Sequence, residues 1–209
     1  MDLQLLLPFV VAITLISLVP GPDMFYIVAN GIAGGPRAGV VAAVGMSTGM
    51  AVHTLAAAAG LSALFIALPA AMDVLRVVGI AVLLYLAMST LRSSFAQQEL
   101  ELRPEQRPLS RTYGMAVLTN VSNPKVIVFY LAFMPQFTDP HGAWPVPVQL
   151  LALGLLFITV GLGIDAGVGL AAGKLSGLLA GSLRFRRWLQ RVSAAVFGAL
   201  AVDLGLSRG

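Results

Sequence analysis

The chain has 209 residues, of which 58% are hydrophobic and only 11% charged, with a mean hydropathy of +0.89 and a formal net charge of +4. A soluble domain carries about 25% charged residues and has too little interior to bury this much apolar side chain, so the composition describes a polytopic membrane protein. There is no cysteine, which excludes disulfides and thiolate metal centres, and the Met-Asp start, with no basic residue before the first apolar run, argues against a cleaved signal peptide.

A helix crosses a bilayer with about 20 apolar residues, and the sequence offers six such spans. The first covers about 3–29 and is interrupted at Pro20. The second covers about 38–68 and is uncharged, with His53 near its centre. The third covers about 70–91, with Asp73 and Arg76 near its start, and its boundary with the second is marked only by Pro69. A hydrophilic stretch at 92–112, rich in Glu and Arg and holding two prolines, reads as a solvated linker. The fourth span, about 113–137, contains Lys125; the fifth, about 147–173, contains Asp165. The sixth, about 188–206, has Arg191 and Asp203 near opposite ends. The expected organisation is a three-helix group at 1–91, the linker at 92–112, and a second three-helix group at 113–209.

Basic residues set the orientation. One side of the membrane collects Arg37, then Arg92, Arg103, Arg107 and Arg111, then Lys174, Arg184, Arg186, Arg187 and Arg191, ten of the 13 Lys and Arg. The other side collects only Arg76 and Arg208, and Lys125 lies within a span. The ten-charge side is expected to be cytoplasmic, which places both termini outside. The net charge is only +4, and its placement matters more than its size; the expected surroundings are a lipid bilayer, with no nucleic-acid partner.

The first span is broken at "SLVPGPDMFY", residues 17–26. Proline lacks the N–H and its ring clashes with the carbonyl four residues back, so Pro20 and Pro22 free the carbonyls of Ile16 and Leu18, and Gly21 adds backbone freedom. The fourth span repeats the device at "LTNVSNPKVI", residues 118–127, where Pro124 frees the carbonyl of Asn120. A charge follows each break, Asp23 in one and Lys125 in the other. Two Gly/Pro-interrupted spans in corresponding positions point to the substrate site of an inverted-repeat transporter; three spans per half is an odd number, so the second half inserts upside down. Free N–H groups at the half-helix beginning near Asp23 suit an anion, and the freed carbonyls suit an ammonium, a combination that matches a zwitterion. Asn120, Ser122 and Asn123 are placed to satisfy backbone groups or to touch the solute.

Charges at mid-membrane cost about 2.5–3.5 kcal/mol each on insertion scales and usually have partners. Asp23 and Lys125 either form a structural ion pair between the halves or a pair that opens when solute or a proton arrives. Asp165 can pair with Lys125, relay protons or face interfacial water. His53 can change charge near neutral pH or make a hydrogen bond between helices. Asp23, His53 and Asp165 are therefore the candidates for proton coupling. Glycines four residues apart, Gly35 and Gly39, Gly45 and Gly49, Gly163 and Gly167, are expected to allow close helix packing. His141 and Asp203 are expected near the outer surface.

"VPGPDMFYIVANGIAGGPRAGVVAAVGMSTGMAVH" together with "LTNVSNPKVIVFYLAFMPQF" resembles the LysE/RhtB amino-acid exporter family. The marks are Pro-Gly-Pro before Asp23, the small-residue second span, and Asn-Pro-Lys leading to Pro-Gln-Phe; Met50 stands where the family often has an acidic residue. The resemblance extends over nearly the whole chain. It implies efflux of amino acids or related small metabolites across the bacterial inner membrane, powered by proton motive force. The paired breaks themselves supply the expected site residues, Pro20, Gly21, Pro22 and Asp23 from the first and Asn120, Asn123, Pro124 and Lys125 from the second. No catalytic residue, metal or cofactor is expected, and no Walker-type motif points to ATP. The rival classes are a metal-cation exporter, which would want more intramembrane carboxylates, and a membrane-embedded enzyme, which would want a nucleophile or a cluster of ligands.

Overall fold

A computed structural model describes residues 5–67, 71–95, 108–174 and 183–206. All regular structure among them is helical. In chain order the elements are α1 (Leu6–Leu18), α2 (Pro22–Ala67), α3 (Ala71–Phe95), α4 (Leu109–Val121) and α5 (Pro124–Val128). A π turn at Phe129–Phe133 and a 3-10 turn at Met134–Phe137 carry α5 onward, and α6 (Val146–Lys174) and α7 (Leu183–Leu206) complete the chain.

Local sequence accounts for the interruptions. At Val19 the backbone leaves the helical region (φ −68°, ψ 117°); Pro20 has no N–H to continue α1, and Pro22 opens α2 at the first helical position, where a missing N–H costs nothing. The second break is built alike. Asn123 is extended (φ −77°, ψ 113°), its side chain caps the amide of Lys125, and Pro124 opens α5. The segments on either side, Leu109–Val121 and Pro124–Phe137, meet at 47°. α2 has 46 residues; as one straight rod it would be about 69 Å long, more than twice the ~30 Å of hydrocarbon in a bilayer. It does not run straight. Gly35 takes φ 77°, the only positive φ among the described residues, a conformation that glycine adopts without steric cost, and Pro36 restarts the helix. The chain therefore turns between 22–34 and 36–67.

Three helices are long and apolar enough to cross a membrane, Pro22–Gly60, Asp73–Arg92 and Val146–Lys174, and the bent pair Leu109–Val121 with Pro124–Phe137 makes a fourth. α1 is a shorter apolar helix of 13 residues. Among the described residues the structure thus gives three to four candidate spans by length and composition, fewer than the six expected; Pro22–Gly60 includes the Gly35 turn, and α7 does not meet the same standard. Large apolar side chains such as Leu7, Leu55, Val77 and Leu155 are exposed, as lipid-facing positions are. The centre of the linker, including Arg103 and Arg107, lies outside the described residues, as do Pro69 and Arg208; the side chains of Arg76, Arg184, Arg186, Arg187 and Asp203 do too.

α2 packs most closely on α6 and then on α4, while α3 packs on α7. Small residues make the first contact possible: a Cβ on Gly39 would lie 2.6 Å from the backbone of Gly169, and the reverse holds as well. Gly45 and Gly49 likewise lie against Ala116 and Asn120 of α4. The expectation for Gly163 and Gly167 is corrected, because a Cβ at either would meet nothing within 4 Å. Two residues turn a helix by about 200°, so these glycines face away from the side that presents Gly161, Asp165 and Gly169 to the interior. Gly35 is corrected too: it turns the chain and packs against nothing within 4 Å. An aromatic core steadies the second break. Phe129 lies 4.8 Å from Phe157 of α6, and Phe9 of α1 lies 5.1 Å from Phe137, between ring centres.

Candidate functional site

The two breaks lie against each other. Lys125, at the second helical position after one break, reaches Asp23, at the second helical position after the other. Nζ lies 2.7 Å from Asp23 Oδ2, and both residues are buried, 3% and 8% exposed. Lys125 Nζ also donates to the carbonyl of Val19 at 3.0 Å and to that of Ile16 at 3.3 Å. Ile16 is one of the carbonyls that Pro20 leaves without a helical donor, so the ammonium it receives is the protein's own. Asn120, whose carbonyl Pro124 frees, accepts from the Asn123 amide at 3.0 Å and lies 3.4 Å from His53 Nε2. Thus the exposed backbone of each break is largely satisfied from within, which is the condition for non-helical backbone at membrane depth.

The halves differ at the cap. Asn123 accepts the Lys125 amide at 3.1 Å. Gly21, its counterpart, has no side chain, and the space a Cβ would take is filled: it would lie 2.7 Å from Asp23 Oδ1 and 3.4 Å from Lys125 Nζ. The pair itself therefore requires glycine there.

A small pocket, with a cavity volume of about 20 Å³, opens beside the pair and is lined by Ser17, Asp23, Met50, Asn120, Lys125, Phe157 and Asp165, among others. Asp165, 8% exposed, comes from α6 and interacts electrostatically with Asp23 and Lys125. Three buried polar atoms have no hydrogen-bond partner: Asp23 Oδ1, Asn120 Oδ1 and Asn123 Nδ2. Of the residues singled out in the sequence as site candidates, Asp23, Asn120, Lys125 and Asp165 line this pocket, whereas Pro20, Gly21, Pro22, Asn123 and Pro124 lie in the two breaks beside it and do not line it. His53 does not line it. It sits behind Asn120, half-buried, stacked on Tyr130 at 5.4 Å between ring centres, while Tyr130 hydroxyl bonds Thr54 at 2.9 Å. Ser17, Phe157 and Gly161 line the pocket without having been singled out; small polar, aromatic and glycine residues in apolar helices carry no local mark of a site.

The family model described as "LysE type translocator" matches residues 14–208. The chain belongs to the LysE family. A leucine efflux protein of Klebsiella pneumoniae is 34% identical to this LysE-family chain over 154 residues, 73% of each. A homoserine/homoserine lactone efflux protein of Salmonella typhimurium is 29% identical over 195 residues, 93% of each. An uncharacterized membrane protein of Pseudomonas aeruginosa is 30% identical over 208 residues, 95% of this chain and 91% of that one. No solved structure gives a significant match. The LysE family is one of membrane translocators, and the apolar helices described above suit that setting.

Proposed function

We propose that this LysE-family protein is a secondary transporter that exports an amino acid or a closely related small metabolite across the bacterial inner membrane, driven by protons. The observation that carries the reading is the buried Asp23–Lys125 bridge, 2.7 Å long, joining two proline breaks beside a pocket. Relatives named for efflux of leucine and of homoserine and its lactone support amino-acid-like cargo.

In this reading 1–91 and 113–209 are inverted repeats joined by a cytoplasmic linker at 92–112, with both termini outside. The packing of α3 on α7 and of α2 on α6 supports it, since corresponding helices then pair across the halves. Pro20, Gly21, Pro22 and Asp23 form one half of the site and Asn120, Asn123, Pro124 and Lys125 the other. Movement of one repeat against the other exposes the pocket to each side in turn. Asp23 and Asp165 are the groups at the pocket that exchange protons, and His53 acts behind it through the Asn120 carbonyl. One proton crossing 100 mV releases about 2.3 kcal/mol, which sustains a solute gradient of about fifty-fold.

The test is to compare amino acids and amines in the medium of bacteria making the wild-type chain and bacteria making Lys125→Gln at equal membrane levels. The expected result is a rise in one or a few such solutes with wild type alone. Identical media would overturn the reading.

A further inference from the structure

The pocket is unbalanced in its hydrogen-bonding groups. A lysine ammonium has three N–H donors. Those of Lys125 face three acceptors already, Asp23 Oδ2 at 2.7 Å, Val19 O at 3.0 Å and Ile16 O at 3.3 Å. Lys125 is the one basic side chain lining the pocket, so no cationic donor remains for a carboxylate of the solute. Nor does the half-helix start at Pro22 offer an open anion seat: Asp23 stands in its first turn, and Asp23 Oδ1 fills the cap space beside Gly21.

Acceptors are in surplus. Asp165 is 8% exposed, lines the pocket, and has no hydrogen bond or ion pair among the described residues. Asp23 Oδ1 is buried without a partner. Two carboxyl groups and one ammonium line the pocket, so with both acids ionised it holds one negative charge in excess. A buried carboxylate without a partner is costly; a cationic group arriving from solution removes that cost and gains a charge-assisted hydrogen bond. The remaining neutral groups, Ser17 hydroxyl and the Asn120 carboxamide, can donate or accept. The rest of the wall nearby, Met50, Val126 and Phe157, is apolar.

Resting on the transport reading above, we infer that the solute is held by its primary ammonium at the Asp165 carboxylate, and that it needs no carboxylate of its own. The class accepted is short primary amines with a small apolar body, of which amino acids are one case. Asp165 is then the residue of the site that seats the ammonium, while the Asp23–Lys125 pair beside it joins the two halves of the site and, in this arrangement, offers the solute no free cationic donor.

The test uses the purified full-length protein in detergent at fixed neutral pH and follows thermal unfolding, which a ligand of the folded state delays. The probes are an equimolar mixture of the proteinogenic amino acids, 3-methylbutylamine, and 4-methylpentanoate. The mixture and the amine are expected to raise the melting temperature and the acid to leave it unchanged. In Asp165→Asn the amine concentration for half the effect should rise at least about tenfold, the loss of one charge-assisted bond, and Asp165→Glu should restore part of it. Stabilisation by the acid equal to that by the amine, or an unchanged amine response in Asp165→Asn, would overturn the inference. Should Asp165→Asn not fold, the amine-against-acid comparison on wild type decides alone. A response to the mixture without one to the amine sinks the ammonium seat and spares the transport reading. A response to the amine without one to the mixture does the opposite, and silence from all three probes sinks both.

Discussion

Removing either member of the Asp23–Lys125 pair should not cost the same. Lys125→Gln deletes the ammonium and leaves Asp23 buried at 8% exposure with Oδ1 already unpartnered and Oδ2 newly so. An uncompensated buried charge of this kind costs about 3–5 kcal/mol. Asp23→Asn leaves the ammonium with the Val19 and Ile16 carbonyls at 3.0 and 3.3 Å and an amide oxygen in place of Oδ2. Its loss is that of one charged hydrogen bond, about 1.5–3 kcal/mol. The double variant has no stranded charge, so its destabilisation should fall well short of the sum of the two. Equilibrium unfolding in mixed micelles, followed by circular dichroism, reads all three. Transport should be lost in each single variant and stay lost in the double, because restored stability does not restore the charged bridge that joins the two breaks at the pocket. Equal losses for the two single changes, or a double variant whose loss is their sum, would refute the reasoning.

Three further changes have distinct expected outcomes. Gly21→Ala places a Cβ 2.7 Å from Asp23 Oδ1 and 3.4 Å from Lys125 Nζ, and should lower the transport rate by about tenfold or more through the displaced pair, measured in reconstituted vesicles. Gly169→Ala drives a Cβ to 2.6 Å from the Gly39 backbone and should destabilise by about 1–3 kcal/mol. Gly167→Ala meets nothing within 4 Å and should stabilise the helix by about 0.5–1 kcal/mol. A single cysteine at Ser94 should be protected from an impermeant thiol reagent applied to intact cells, whereas one at Gly142 should react; the reverse pattern would invert the proposed topology.

The breaks were legible because proline acts locally: Pro20, Pro22 and Pro124 each remove an amide donor whatever surrounds them. The helical class and the family were legible for a related reason, since apolar runs and the Pro-Gly-Pro-Asp and Asn-Pro-Lys motifs are stretches of contiguous sequence. What faces what was harder. Gly35 looked like one half of a packing pair with Gly39, yet only the backbone angle, φ 77°, separates a turning glycine from a packing one. Gly163 and Gly167 had the spacing of a contact stripe, but spacing does not say which side of α6 meets α2, and the buried side carries Gly161 and Gly169. Nothing in the local sequence marks the Val19 carbonyl, because a proline frees the carbonyl four residues back, whereas Lys125 reaches Val19 across the chain. His53 and Asp165 were alike candidates for proton coupling; the structure puts Asp165 in the pocket and His53 behind it on Tyr130.

The most direct measurement of the central claim, proton-driven transport through the paired breaks, is uphill movement of solute in proteoliposomes. Vesicles containing the wild-type chain, given an imposed pH gradient and no ATP, should concentrate the solute identified by the export comparison against its own gradient. A protonophore should abolish that accumulation, and vesicles containing Lys125→Gln should show none. Accumulation that survives the protonophore with sodium and potassium gradients absent, or that is equal in Lys125→Gln, would contradict the account.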